Sequence, residues 1–247
     1  MTNLFSKKWR AQWGTNGKRI LVFGFLLLSS LSLHAQEEPK KLDPARWEKD
    51  IQAFESKDKE QFPPLGGILF VGSSSIRMWD LSKFFPDLPV INRGFGGSHM
   101  EDSVYFAKRI VLPYRPKTIV LYAGDNDIQS GKSSEKVLSD FQAFVKLVHA
   151  ELPQTRILYI AIKPSIQRWA NIERIREANQ TIQEWIEKDP AKPSLLQFID
   201  IDSPMIGEDG KPRATLLLED GLHLNDEGYK LWTSILLPAL NGQPTLK

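Results

Sequence analysis

Asp220 and His223, three positions apart, are the residues of this chain best suited to proton transfer. They fall in a glycine-containing loop just before the last helical pattern of the sequence. In such a loop a carboxylate can hold an imidazole in one orientation, and the imidazole can take a proton from a nucleophile. The nucleophile of such a base is a neighbour in space and need not be close in sequence, so it is expected far upstream.

Three upstream loops carry small and polar residues that could complete this site. Residues 72–75 read Gly-Ser-Ser-Ser, residues 92–99 are rich in glycine, and residues 123–127 contain Asn126. Serine is a nucleophile, glycine lets backbone N–H groups approach a ligand, and an amide can donate to an oxyanion. Taken singly, each loop is equally typical of a turn, a cap or a phosphate-binding segment. Ile76 excludes the Gly-x-Ser-x-Gly elbow, and no Walker motif follows.

Alternating apolar runs and helical patterns predict the elements that must position these loops. Continuous apolar runs typical of strands buried on both faces lie at residues 68–71, 90–91, 118–122, 156–162 and 195–200. Helical patterns lie at residues 43–61, 101–110, 134–150, 171–187 and 226–240. This alternation predicts an α/β fold with a parallel sheet. Right-handed crossovers bring the strand ends to one edge, where the loops would meet.

The first 35 residues differ from the rest of the chain. They hold five basic and no acidic residues, and residues 20–33 form an apolar run of 14 residues that ends near Ala35. This pattern predicts a secretory signal peptide over residues 1–35, cleaved near Ala35, and hence an exported protein, periplasmic or secreted. An uncleaved membrane anchor is the alternative, although the run is shorter than the roughly 20 residues of a membrane span.

Composition limits the partners of the remaining chain. Without residues 1–35 it carries 27 basic and 30 acidic residues, so its charge gives no reason to expect nucleic-acid binding. The chain has no cysteine, which excludes disulfides and a lipid-modified cysteine. Residues 36–62 are predicted as a linker and a helix, and residues 63–247 as one catalytic domain without internal repeats.

The four loops, with Ser, Gly, Asn and Asp-x-x-His in that order, resemble the SGNH hydrolases, the GDSL esterase/lipase superfamily. The resemblance covers residues from about 67 to about 240. Within the superfamily, the chain is most similar to the branch of platelet-activating-factor acetylhydrolase catalytic subunits. The resemblance implies a flavodoxin-like, three-layer α/β/α fold with a five-stranded parallel sheet in the order 2-1-3-4-5. It also implies that neither a metal nor an organic cofactor is used.

The resemblance also assigns roles to individual residues. Ser74 would be the nucleophile, with His223 and Asp220 completing a Ser-His-Asp triad. The backbone N–H groups of Ser74 and Gly97, with the Asn126 amide, would form the oxyanion hole. The chain departs from the family pattern in carrying Ser73 and Ser98 where aspartate is found, which leaves the assignment of the nucleophile among residues 73–75 to geometry.

The segment after the fourth predicted strand supplies possible pocket residues. Lys163, Arg168 and Trp169 are expected near the same sheet edge, where they could shape the substrate pocket or bind an acidic group. Packing of Trp169 in the core is the alternative. His99 and His149 have no partners at metal-ligand spacing, so hydrogen-bonded or solvated roles are expected for them.

These observations predict a serine esterase that hydrolyses small acyl esters, acetyl or short-chain, through an acyl-enzyme. No lid or long apolar insertion is visible, which favours small acyl groups. One alternative is a lysophospholipase or thioesterase acting on lipids. The other is a carbohydrate- or lipid-binding module that has kept the fold and lost turnover. The expected partner is a small-molecule, carbohydrate or lipid ester, and a membrane is involved only if the signal segment remains uncleaved.

Overall fold

Five short strands form one parallel sheet in the order β2-β1-β3-β4-β5. The computed structural model describes residues 43–188 and 195–242, so the predicted signal segment 1–35 lies outside the described residues. The strands are β1 (Ile68–Gly72), β2 (Val90–Gly94), β3 (Thr118–Tyr122), β4 (Arg156–Ile160) and β5 (Leu196–Ile199). The predicted fold class and strand order are therefore confirmed.

Helices cover both faces of this sheet, giving three layers. In chain order they are α1 (Glu48–Glu60), α2 (Ser74–Arg77), α3 (Leu81–Phe84), α4 (Met100–Ile110), α5 (Asp125–Gln129), α6 (Ser134–Glu151), α7 (Ile172–Glu187), α8 (Asp202–Met205) and α9 (Asp226–Leu240). Helices α1, α4, α6 and α7 pack on one face, and α2, α3, α8 and α9 on the other. Within the described residues, no helix combines the length and apolar character needed to cross a membrane.

Each strand contributes to two hydrophobic cores because successive side chains point to opposite faces. In β1, Leu69 and Val71 join the core under α1, α4, α6 and α7, whereas Phe70 joins the core under α9. Similarly, Ile119 and Val120 of β3 enter opposite cores, and both are fully buried. Burial on both faces explains why these strands are continuous apolar runs in the sequence.

Helix α1 packs on the core that lies between the sheet and helices α4, α6 and α7. Ile51 is fully buried in that core, and Trp47 and Phe54 pack against it. On the surface, Arg109 of α4 pairs with Glu48 at 2.8 Å and with Glu55 at 2.6 Å. The sequence predicts residues 36–62 as a segment separate from the catalytic domain. The described residues of that segment, 43–62, pack on the core of the domain.

Three features of the sheet and its loops differ from expectation. Strand β2 runs on to Gly94 and includes the buried Arg93, whose charge is matched by Asp58 at 2.5 Å and whose Nε donates to Tyr114. Strand β4 ends at Ile160, two residues earlier than predicted. The four-residue helices α2, α3 and α8 were not predicted, since so few residues carry no measurable helical period.

Candidate active site

Ser74 opens helix α2 directly beyond the carboxyl end of β1. The backbone turns sharply there, with Gly72 at φ +137°. A Cβ atom on Gly72 would lie 1.9 Å from the Tyr122 carbonyl oxygen, so only glycine fits between β1 and β3 at this point. The Ser73 N–H donates to that same carbonyl at 3.1 Å, which fixes the turn and presents Ser74 at the sheet edge.

The loop before α9 folds around the Asp220 carboxylate. Its Oδ1 accepts hydrogen bonds from the backbone N–H groups of Leu222 at 2.8 Å and His223 at 2.9 Å. Its Oδ2 lies 2.6 Å from His223 Nδ1. The bond to His223 is the main reason that the pKa of Asp220 falls to about 2, against the opposing effect of burial. Asp220 is thus a charged acceptor that fixes the imidazole.

The other ring nitrogen of His223 faces the serine. Its Nε2 lies 3.0 Å from Ser74 Oγ, although the two residues are 149 positions apart in sequence. Because Asp220 occupies Nδ1, the tautomer with its proton on Nδ1 leaves Nε2 free to accept the serine proton. The structure therefore brings together Ser74, His223 and Asp220 in one hydrogen-bonded line.

Three donors predicted for an oxyanion hole border the same space. Gly97 lies in the loop after β2 with φ +75°, and Asn126 is the second residue of α5 after β3. Within the described residues, the backbone N–H groups of Ser74 and Gly97 donate no hydrogen bond. The Asn126 Nδ2 donates to the Ser98 carbonyl at 2.9 Å, which leaves its second proton available.

Ser74, His223, Gly97 and Asn126 line a cavity of about 430 Å³. Five further residues line it that the sequence did not assign to the site: Trp47, Asp50, Arg77, Gly96 and Leu222. Arg77 and Leu222 had a local signal, because each lies within three positions of a predicted triad residue. Trp47 and Asp50 had none, since they belong to the amino-terminal segment and reach the cavity only through tertiary packing.

The structure separates the three predicted pocket residues. Arg168 lines the cavity, but Lys163 and Trp169 do not. Lys163 is only 1% exposed because its ammonium turns inward to Asp125, at 3.1 Å. Trp169 packs against the core on its inner side and is covered by Lys211, whose Nζ lies 4.7 Å from the ring centroid. For Lys163 and Trp169 the expectation of a place in the pocket is wrong.

The remaining histidines of the described residues have structural partners. His149 Nε2 lies 2.9 Å from the Thr155 carbonyl oxygen, and the buried His99 faces Asp127 with Nδ1 3.5 Å from Oδ1. Over residues 43–188 and 195–242, the acidic and histidine side chains form no group of three able to hold a metal ion.

Comparisons with known proteins identify the family of the chain. Residues 77–231 match the model of the GDSL-like Lipase/Acylhydrolase family. The chain is 27% identical over 203 residues to platelet-activating factor acetylhydrolase IB subunit alpha2 of Rattus norvegicus, covering 79% of this chain and 83% of the relative.

Two solved structures show the same fold. A GDSL-like lipase from Bacteroides thetaiotaomicron superposes with a TM-score of 0.67 at 17% identity, covering 78% of this chain and 98% of that one. A catalytic mutant of an acetylxylan esterase from Geobacillus stearothermophilus superposes with a TM-score of 0.56 at 12% identity, covering 74% and 98%. The family match spans more than half of the chain, which therefore belongs to the GDSL-like lipase/acylhydrolase family and is a carboxylic-ester hydrolase.

Proposed function

We propose that the protein hydrolyses acetyl or other short-chain acyl esters with Ser74 as nucleophile. The observation that supports this most directly is the line of contacts from Ser74 through His223 to Asp220, with distances of 3.0 and 2.6 Å. The family match begins at residue 77, beyond Ser74, so the assignment of the nucleophile is supported by this geometry.

The contacts suggest the following reaction. His223 Nε2 takes the proton of Ser74 as Oγ attacks the ester carbonyl carbon, and Asp220 stabilises the imidazolium that forms. The carbonyl oxygen becomes an oxyanion that accepts hydrogen bonds from the Ser74 and Gly97 N–H groups and from Asn126. As the carbon–oxygen bond to the leaving group breaks, His223 returns the proton to the departing alcohol. Water, deprotonated by His223, then attacks the acyl-enzyme and releases the acid and Ser74.

The cavity supports a short acyl group and a polar leaving group. Most of its side chains are polar or charged, and Trp47 and Leu222 are the apolar ones. Long acyl chains bind instead along extended apolar surface, which these two side chains do not supply. Both the mammalian relative and the Geobacillus structure carry names that refer to acetyl esters, which is consistent with this choice.

One observation favours the alternative of a lipid ester. Ile166 and Leu218 are 48% and 42% exposed beside the loop that holds the His223 imidazole. Ile166 lies against Gly221, and the Leu218 N–H donates to the His223 carbonyl at 2.8 Å. A panel of esters with graded acyl length, together with acetylated sugars and a lysophospholipid, separates the two substrate classes. We expect turnover to fall beyond about four acyl carbons, because the cavity offers little apolar surface to a longer chain.

The nucleophile is tested by three alanine variants of adjacent serines. Ser74→Ala should lower kcat at least about 10⁴-fold and abolish labelling by a fluorophosphonate probe. Ser75→Ala is the matched control and should keep its activity, because this neighbour is buried and the His223 ring bonds to Ser74 and Asp220 instead. Ser73→Ala tests the remaining serine of the loop. Full activity of Ser74→Ala would refute the proposed mechanism.

We also infer that the protein is exported after removal of residues 1–35. The inference rests on the basic residues and the short apolar run of that segment. Mass determination of the protein recovered from its native cells tests it, and an amino terminus near Gln36 is expected. Recovery of the full chain in a membrane fraction would favour the anchor instead.

A further inference from the structure

The Arg168 guanidinium contacts the side chains of two adjacent residues, Asn126 and Asp125. Its Nη2 donates to Asn126 Oδ1 at 3.0 Å, and its Nη1 lies 2.6 Å from Asp125 Oδ1. A guanidinium is planar and can address two acceptors at once in a fixed geometry. Arg168 is therefore placed to hold the Asn126 side chain relative to the helix that bears it.

The Asp125 carboxylate that anchors Arg168 is itself buried and doubly paired. Lys163 reaches its Oδ2 at 3.1 Å, and the Asp125 side chain is 7% exposed. Burial alone would raise the pKa of Asp125, but the neighbouring charges of Lys163 and Arg168 outweigh it and hold the pKa below its ordinary value. Two cations thus share one carboxylate behind Asn126, which leaves one positive charge in excess beside the cavity.

This arrangement decides which end of the Asn126 amide faces the reacting centre. An amide side chain can turn over, exchanging its oxygen for its nitrogen. A guanidinium can only donate, so it holds Oδ1, while the Ser98 carbonyl can only accept, so it holds Nδ2. Donation to Oδ1 from a cation also draws electron density from the amide, which makes its N–H groups stronger donors.

We propose that Arg168 is a positioning residue of the oxyanion hole, acting through Asn126 rather than by binding substrate. The proposal rests on the proposed function, because it assumes that Asn126 donates to the oxyanion. It assigns Asp125 and Lys163 the role of fixing the guanidinium. It also explains why Arg168 lines the cavity while its two terminal nitrogens are turned to protein acceptors.

A double-mutant cycle between Arg168 and Asn126 tests this. Arg168→Met should lower both kcat and the rate of fluorophosphonate labelling of Ser74 by about 10- to 100-fold, less than the roughly 100- to 1000-fold typical of losing an oxyanion donor. In the Asn126→Ala background the same substitution should cost less than about 3-fold, because the group through which it acts is gone. Equal losses in both backgrounds, or a rise in KM with kcat and labelling unchanged, would overturn the proposal.

Two further variants keep the test decisive. Arg174→Met is the matched control: Arg174 also bonds to the α5 region, at the Ile128 and Lys132 carbonyls, but does not touch Asn126, so labelling should stay near wild type. If Arg168→Met does not fold, Arg168→Lys replaces it, since an ammonium can pair with Asp125 but cannot span both acceptors. A wild-type labelling rate in Arg168→Lys would overturn the proposal. Unchanged labelling in Ser74→Ala would instead refute the proposed function itself.

Discussion

Gly97→Ala is the substitution whose effect follows most directly from the geometry of the loop after β2, residues 95–99, which carries Gly97 as a proposed oxyanion donor. Gly97 has φ +75°, and a Cβ atom there would lie 3.2 Å from Trp47 Cη2. Holding an L-residue in the left-handed region costs about 1–2 kcal/mol. Crowding a packed site adds about 1–3 kcal/mol unless the neighbour yields. We therefore expect the free energy of unfolding to fall by about 2–5 kcal/mol in total.

The same substitution should lower activity by more than its effect on folding explains. If the backbone shifts to relieve the contact, the Gly97 N–H leaves the oxyanion, and losing one such donor typically lowers kcat about 100- to 1000-fold. Urea denaturation measures the stability, and kcat for a short acyl ester under conditions where the variant is folded measures the activity.

Gly131→Ala is the matched control for Gly97→Ala. Gly131 also has a positive φ, +96°, but a Cβ atom there would meet nothing within 4 Å, and Gly131 does not line the cavity. The free energy of unfolding of Gly131→Ala should fall only by the cost of the left-handed backbone, about 1–2 kcal/mol. Its kcat should stay unchanged. Adding Trp47→Leu to Gly97→Ala should restore part of the stability by making room. Wild-type kcat in Gly97→Ala, or equal losses in both glycine variants, would refute the reasoning.

Three further predictions follow from the site and the core. Ile51→Ala should lower the free energy of unfolding by about 2–5 kcal/mol in urea titrations, because Ile51 is fully buried; a loss below about 1 kcal/mol would contradict packing of α1 on the core. Asp220→Asn should lower kcat by about 10²- to 10⁴-fold at pH 7 with little change in Tm; an unchanged kcat would exclude Asp220 as the group that orients His223. Burial would raise the pKa of Asp127, but hydrogen bonds and charge pairing with His99 and Lys132 outweigh it and lower that pKa. The Asp127 carboxylate therefore stabilises the fold at neutral pH, and this stabilisation is lost as the pH falls through the lowered pKa. Asp127→Asn should therefore destabilise more at pH 7 than at pH 3 in urea titrations, and an equal loss at both would contradict this.

The sequence best predicts the elements whose boundaries are set by residues within or next to the element itself. Strand β3 has the predicted ends because all its residues are buried between apolar neighbours. Helix α9 begins where predicted because Asn225 Oδ1 accepts from the Gly228 N–H at 3.1 Å. Strand β2 was predicted too short because its second half is polar. The buried Arg93 is tolerated there through partners that are distant in sequence, Asp58 and Tyr114.

The site was predictable in its residue types and not in all of its contacts. Asp220 and His223 are a local pair, so their spacing alone indicates their contact. The contact between His223 and Ser74 depends on the crossovers that bring distant loops to one edge, which the sequence indicates only through the alternation of strands and helices. Lys163 was misplaced because the residue after a strand is expected at the edge. The buried charge of Asp125 draws it inward instead.

The amino-terminal segment supports the loop of residues 95–99, which carries Gly97, from outside the family-matched range. The Trp47 ring packs on Phe95 with centroids 5.8 Å apart, and its edge faces Gly97. Beside it, Arg46 pairs with the buried Asp102, whose carboxylate also accepts from the His99 N–H at 2.8 Å. The loop from Phe95 to His99 is thus held at both ends by contacts that involve residues 46 and 47. Because the proposed oxyanion hole depends on where the Gly97 N–H points, its shape is set partly by a segment that contributes no residue to the proposed triad or oxyanion hole.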